Sequence, residues 1–275
     1  MNESLWHLLC HTSEVEKDLS YLVVKYLDQE VVCYKQNGNI HVFKNFCPHR
    51  GSKLVTNTSG TWNGKCPYHG LEFSEETPIN GLSIGFNERS LNRLKLQQVK
   101  QTRCGNFIFF NFSDKAAPLE EQLGKVLFSH IEDISHKIET TLDLNEYQYD
   151  CRWEVAVENA LEPLHLPEIH AESLNLLDLD GGKIVTDVGG LFFDHQIQNK
   201  RYRKSLEILK PKLSDSSFPS TYHSAYLYPF TFISSTYGLS FSIQTFFPTT
   251  SDFQTNFSSK LFAPKLQKEE YNNLF

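Results

Sequence analysis

No stretch of the 275-residue sequence is apolar over the roughly 20 residues that a helix needs to cross a bilayer. The opening residues, MNESLWHLLCHTSEVEKDLS, also lack a basic leader followed by an apolar run. Neither a membrane span nor an export signal is therefore expected, and a cytoplasmic location is. Basic charge is short: 26 Lys and Arg stand against 33 Asp and Glu, a net charge of -7, so nucleic acid and anionic lipid are poor partners. One local exception runs from Lys200 to Lys212, KRYRKSLEILKPK, with six basic residues and one acid. A solvated surface is its plain reading and docking of an acidic partner the other. Cysteine is too sparse for a disulfide framework: Cys10, Cys33, Cys47, Cys66, Cys104 and Cys151 are scattered through the chain, which favours metal or catalytic use. Internal repeats and low-complexity segments are missing as well.

What is present is a well-packed composition, 40% apolar and 13% aromatic. Short alternating runs, YLVVKYL, EVVCYKQNGNIHVF with a turn at Asn37-Gly38, and CGNFIFFNF, predict a first domain that is mostly β. After a break at SDKAAPLEEQ, LGKVLFSHIEDISHKIE has helical spacing and TLDLNEYQYDCRW reads as a strand. The boundary falls near Ala116, giving domains over 5–115 and 116–275. Later runs at LFFDHQIQ, AYLYPFTFISS, LSFSIQTFF and FQTNFSSKLFAP predict an antiparallel sheet with helices packed on it, an α+β fold. Phe192, Phe193, Phe230, Phe232, Phe246 and Phe247 are candidates to line an apolar pocket, although alternating aromatics on a sheet are more often plain core.

Of the six cysteines, only Cys47 and Cys66 have motif context; the other four read as small buried hydrophobes. CPHRG (Cys47 to Gly51) and CPYHG (Cys66 to Gly70) each place cysteine, proline, histidine and glycine in one tight turn, with residues 50–65 between His49 and Cys66. Two such turns bring two thiolates, Cys47 and Cys66, and two imidazoles, His49 and His69, to one place. That donor set suits tetrahedral zinc or a [2Fe-2S] cluster with two histidines on one iron. Gly51 and Gly70 favour the cluster, by letting backbone N–H groups approach bridging sulfides.

Through these motifs the sequence resembles the Rieske non-heme iron oxygenases, the aromatic-ring-hydroxylating dioxygenase and monooxygenase alpha subunits. The resemblance implies that Cys47 and Cys66 hold one iron and His49 and His69 the other. Respiratory Rieske proteins carry an extra disulfide-forming cysteine in each loop, where this chain has residues such as Ser52 and Tyr68, so the soluble branch is the nearer match. The second half carries WEVAVENALEPLHLPEIH, which resembles the mononuclear-iron motif of that family through Glu158, Asn159, Glu162, His165 and His170. On a helix slightly broken at Pro167, Glu162, His165 and His170 are expected to share one face. The resemblance implies a catalytic domain of helix-grip type, with His165 and His170 as Fe(II) ligands and Asn159 beside them. Glu162, where the family more often has aspartate, is implied as the carboxylate bridging a cluster histidine of one subunit to an iron-ligand histidine of the next in a homotrimer. A glutamate here is also reminiscent of the branch acting on quaternary ammonium compounds.

The implied function is a terminal oxygenase that hydroxylates or oxidatively demethylates a small organic substrate with O2. Its electrons come from a reductase or ferredoxin partner and ultimately from NAD(P)H. The alternatives are a Rieske electron carrier with an inactive second domain, and a zinc-stabilised β module that binds a ligand without redox chemistry. The third iron ligand of the family sits on a helix after the last strands, and here PKLQKEEYNNLF is expected to open that helix. Either Asp252, Glu269 or Glu270 substitutes, or the catalytic domain stops short of the ligand; the latter is the expectation, since acids in a first helical turn are ordinarily solvated.

Overall fold

The computed structural model describes residues 4–75 and 77–267. The chain divides into two compact units on either side of the Ala116–Ala117 bond.

The first unit is built from strands β1 (His7–His11), β2 (Ser20–Tyr26), β3 (Gln29–Gln36), β4 (Asn39–Lys44), β5 (Ser59–Thr61), β6 (Phe73–Ser74), β7 (Thr77–Pro78), β8 (Lys100–Cys104) and β9 (Phe107–Asn111), with one short helix, α1 (Glu88–Leu91). They form sheets ordered β1-β9-β8, β4-β3-β2-β5 and β6-β7. The β3–β4 hairpin turns at Asn37 (φ 53°) and Gly38 (φ 78°), two left-handed positions that Asn-Gly adopts readily and that match the strand twist. Val32, Tyr34, Phe43, Trp62, Leu71 and Phe73 pack into one buried cluster that also contains Cys47 and Cys66. Within it the Tyr34 hydroxyl donates to the Trp62 carbonyl (3.0 Å) and Trp62 Nε1 donates to the Lys65 carbonyl (2.9 Å). The core thus anchors the residue next to Cys66 and leaves neither aromatic polar tip unsatisfied.

The second unit begins with α2 (Leu119–Leu123) and α3 (Lys125–Lys137). It continues through β10 (Ile138–Tyr149), α4 (Trp153–Leu161), α5 (Leu166–Ile169), β11 (Lys183–Asp187), β12 (Gly190–His195) and α6 (Lys200–Leu209). The last strands are β13 (Tyr222–Leu227), β14 (Thr231–Thr236), β15 (Phe241–Pro248) and β16 (Thr255–Pro264). Seven strands make one antiparallel sheet ordered β10-β16-β15-β14-β13-β12-β11, so the first strand of the unit pairs with the last. The α+β expectation for the chain holds.

Two sequence expectations are corrected. The run AYLYPFTFISS is two strands: Pro229 has no N–H for the ladder, and the chain reverses so that Leu227 pairs with Thr231. Residues 265–267 do not open a helix. Lys265 N–H donates to the Lys137 carbonyl, Leu266 bridges Leu213, and Gln267 N–H donates to the Lys212 carbonyl, so this stretch is held in extended pairing; Glu269 and Glu270 lie outside the described residues.

Helix α3 starts after Gly124 (φ 84°), and its first amides, Val126 and Leu127, donate to the Asp187 carboxylate at 2.8 and 3.0 Å. A Cβ at Gly124 would collide with that carboxylate, so the glycine is needed for both its φ and its lack of a side chain. Helix α4 buries Ala156 and Val157 against Phe232, Phe246 and Phe257, each large side chain contributing about 1.5–3 kcal/mol. Phe230, Phe232, Phe246 and Phe247 are core, each at most 4% exposed. Phe192 and Phe193 are half-buried and lie against His130 and His195. The basic stretch forms α6 and a following turn, its charged residues exposed apart from half-buried Lys210.

Candidate metal centres

The two cysteine-histidine turns have the same backbone construction. In the first, the Cys47 N–H donates to the Ser52 carbonyl (2.7 Å) and the Gly51 N–H to the Cys47 carbonyl (2.8 Å). In the second, the Cys66 N–H donates to the Leu71 carbonyl (2.8 Å) and the Gly70 N–H to the Cys66 carbonyl (3.0 Å). Gly51 and Gly70 have φ of 73° and 70°, and a Cβ at either would meet nothing within 4 Å. The left-handed backbone is what requires glycine here. The amides of Gly51 and Gly70 themselves close the turns on the cysteine carbonyls.

The turns deliver their side chains in matching pairs. Cys47 and Cys66 are buried and their thiols are within hydrogen-bonding reach of each other. Burial, reinforced by the facing Cys66 thiol, pushes Cys47 up to about 11, with the His49 and Arg50 amides pulling the other way. His49 and His69 sit side by side with ring centroids 4.9 Å apart, His49 half-buried and His69 exposed. Desolvation, then the neighbouring His69 and Arg50 charges, hold His49 below its ordinary value. A zinc site would draw four donors onto one point, whereas here thiol faces thiol and imidazole lies beside imidazole. Two facing thiols and two adjacent imidazoles fit two irons, one per pair, which is the donor set of a Rieske cluster.

In the second unit, α4 does not run through to the histidines. Glu162 precedes Pro163, whose ring disfavours a helical residue before it, and Glu162 is extended (φ -94°, ψ 136°). The break thus lies at Glu162-Pro163, while Pro167 sits without distortion in the first turn of α5. His165 and His170 flank that single turn as its caps, rings 5.3 Å apart. Glu162 Oε1 accepts from His165 Nδ1 (2.6 Å) and Oε2 accepts from the Leu164 N–H (2.6 Å). The His165 hydrogen bond holds the Glu162 carboxyl below its ordinary value. A proton placed on Nδ1 leaves the Nε2 lone pair for a metal, the usual work of a carboxylate behind a ligand histidine. Glu158 and Asn159 are exposed on the last turn of α4. Asp252 is exposed in the turn after β15, where its charge acts on Arg152, and no three-donor group joins it to His165 and His170 among the described residues.

One further cluster has no sequence signature. His130 Nε2 meets His223 Nε2 at 3.0 Å, His223 Nδ1 meets Asp194 Oδ1 at 3.1 Å, and Thr221 Oγ1 donates to the same oxygen at 2.8 Å. His130 lies on α3, Asp194 on β12, His223 on β13 and Thr221 just before β13, far apart in sequence, and the β12–β13 pairing brings them together.

Residues 5–82 match the Rieske [2Fe-2S] domain family. The chain is 26% identical over 182 residues to the 2-halobenzoate 1,2-dioxygenase large subunit of Burkholderia cepacia, covering 61% of this chain and 39% of that protein. It is 28% identical over 181 residues to the glycine betaine monooxygenase oxygenase subunit of Chromohalobacter salexigens, covering 64% and 40%. The match thus spans about two fifths of the length of these curated relatives. In three dimensions the chain is similar to the quaternary ammonium Rieske monooxygenase CntA in complex with L-carnitine, with a TM-score of 0.76 over 99% of this chain and 73% of that one, at 17% identity. At that identity the likeness is one of fold.

Proposed function

The chain carries a Rieske [2Fe-2S] domain and is homologous to the large subunits of Rieske oxygenases, and from that premise we propose that it is the terminal oxygenase component of a multi-protein system. Residues 5–115 form the electron-accepting domain and 116–275 the catalytic domain. Cys47 and Cys66 hold one iron of the cluster, His49 and His69 the other, and His165 and His170 hold a mononuclear Fe(II). One-electron transfer and dioxygen activation are the chemistry these iron centres supply when bound. In a monooxygenation the balance is one oxygen atom inserted into a substrate C–H bond and the other released as water, with two electrons and two protons supplied by the donor system. Insertion next to nitrogen yields a carbinolamine that collapses to the demethylated amine and an aldehyde.

The observation that carries this reading over a simple electron carrier is the Glu162–His165 contact beside His170. A ferredoxin has no use for a carboxylate that fixes the tautomer of one of two adjacent imidazoles. Glu162 keeps the His165 proton on Nδ1, and its 39% side-chain exposure leaves it reachable by an imidazole of a second copy, as the intersubunit bridge of a homotrimer requires. The reductant is NAD(P)H acting through a reductase or ferredoxin, and the substrate a small organic molecule. None of the six cysteines is in a disulfide, in keeping with a reducing cytoplasmic setting, and among the described residues no helix is long and apolar enough to cross a membrane.

The test is spectroscopic and stoichiometric. Purified protein should show broad visible absorption and a reduced-state electron paramagnetic resonance signal of a histidine-ligated cluster, with mononuclear iron beyond the cluster's two. Substrate-dependent oxygen uptake should follow when a reductase is added. Colourless protein, or iron confined to the cluster with no oxygen uptake, overturns the reading.

A further inference from the structure

His69 is exposed and His49 only half-buried, so beyond one ring contact each, His49 on Phe86 and His69 on Tyr68, little side-chain packing holds these two rings 4.9 Å apart. Their positions are set by the backbone of the two turns, and each turn is fastened at its base by one asparagine side chain.

Asn45, two residues before Cys47, is 6% exposed. Its Oδ1 accepts from the Leu54 and Val55 amides, both at 3.1 Å. Its Nδ2 donates to the Val55 carbonyl (2.8 Å) and to Glu30 Oε2 (2.7 Å). All four hydrogen-bonding positions of the amide are therefore used, and they join the two ends of the loop that carries Cys47 and His49. The base of that loop is tied in turn to β3, because the Asn45 N–H donates to the Glu30 carbonyl (2.8 Å) and Lys53 Nζ donates to Glu30 Oε1 (2.6 Å). Asn80 secures the outgoing end of the second turn. Its Nδ2 donates to the carbonyl of Gly70, the residue after His69 (2.7 Å), and its Oδ1 accepts from the Glu72 amide (2.8 Å).

We propose that Asn45 and Asn80 are paired positioning residues, Asn45 clasping both ends of its ligand turn and Asn80 tethering the outgoing end of the other, so that two lightly packed histidines are held side by side. A primary amide suits this task because it alone among the side chains of its size offers two donors and two acceptors. Asp at Asn45 loses both donors and sets a second carboxylate against Glu30. Asp at Asn80 keeps the contact to Glu72 N–H and loses the one to the Gly70 carbonyl.

The inference rests on the cluster assignment made above, and the experiment separates the two. Iron-loaded parent, Asn80→Ala, Asn80→Asp and Asn45→Ser are compared for far-ultraviolet circular dichroism, the reduced-cluster resonance signal, midpoint potential and rate of cluster loss to a chelator. Asn80→Ala should keep the parental circular dichroism yet lose its cluster about 10-fold faster or more, by analogy with the loss of a residue that orients a metal ligand. It should also broaden the histidine-side resonance signal and shift the potential, with Asn80→Asp falling between. Asn45→Ser should do the same more strongly, and if it fails to fold, Asn80→Ala alone decides. A parent with no cluster signal sinks the assignment and the clasps together. A normal parent whose folded variants match it in chelation rate, resonance signal and potential sinks the clasps alone.

Discussion

The buried His130–His223 pair makes a pH prediction whose size follows from the structure. Burial first, then the charge of His223, pushes His130 down to about 4, with Asp194 and Asp133 partly opposing. With His223 Nδ1 against the Asp194 carboxylate and the two Nε2 atoms 3.0 Å apart, the neutral pair already shares one proton between its rings, and a further proton on His130 would charge a ring in a buried site. The sign is that of a base depressed by folding: unfolded chains take up a proton near the ordinary value of 6.5 while the folded state does not. Stability from this site is full above about pH 6.5, falls as pH drops through the window to about 4, and is flat below it. At 1.36 kcal/mol for each step of one in pKa, the window from 6.5 to about 4 corresponds to at most about 3.4 kcal/mol. His7, in the first unit, is depressed to about 3 by burial and acts in an overlapping range, so the parent's pH profile alone does not isolate His130. The variant His130→Phe does, because a phenyl ring retains the stacking on Phe192, now 4.1 Å between centroids. It leaves His223 Nε2 without its partner, a loss of about 1–3 kcal/mol that does not depend on His130 titration. Urea unfolding followed by hydrogen exchange of the α3 and β13 amides should show the stability gap between parent and variant closing by about 1–3 kcal/mol between pH 7.5 and 4.5. A gap that is constant over that range refutes the reasoning.

Three further outcomes are expected. Cys66→Ser should abolish the visible absorption and lower the stability of the first unit, because the thiol is both an iron ligand and part of the core around Trp62 and Leu71; an unchanged spectrum rules out its assignment. Glu162→Gln should keep mononuclear iron while lowering substrate-coupled oxygen uptake about 10-fold or more, since an amide accepts at one atom only and cannot serve both His165 Nδ1 and the Leu164 amide. Parental single-turnover transfer from the reduced cluster in that variant assigns the coupling to another residue. Gly124→Ala should destabilise the second unit by about 1–3 kcal/mol, through a strained positive φ and displacement of Asp187 from the start of α3; a melting temperature equal to the parent's contradicts the collision.

The cluster turns were legible in the sequence because all of their chemistry is local. Cysteine, proline, histidine and glycine within five residues dictate a tight turn with its donors on one side, and finding that motif twice needs no knowledge of the fold. Most strands from β10 to β16 were legible for a similar reason, since alternation along one segment is a local property; the exceptions were β11 (Lys183–Asp187), which was not read as a strand, and the apolar run that Pro229 divided into two. The histidine motif was visible by spacing, yet its geometry was misjudged: the proline that mattered was Pro163, which acts on the residue before it and frees Glu162 to fold back onto His165. What the sequence could not show was anything that depends on strand order. His130, Asp194 and His223 meet because β12 pairs with β13 beneath α3, Asp187 reaches the start of α3 across more than sixty residues of chain, and Asn45 and Asn80 look like ordinary polar residues until their partners are known. Local turn chemistry is written in adjacent residues, whereas a buried hydrogen-bond partner is decided only when the hydrophobic core has chosen which segments lie side by side.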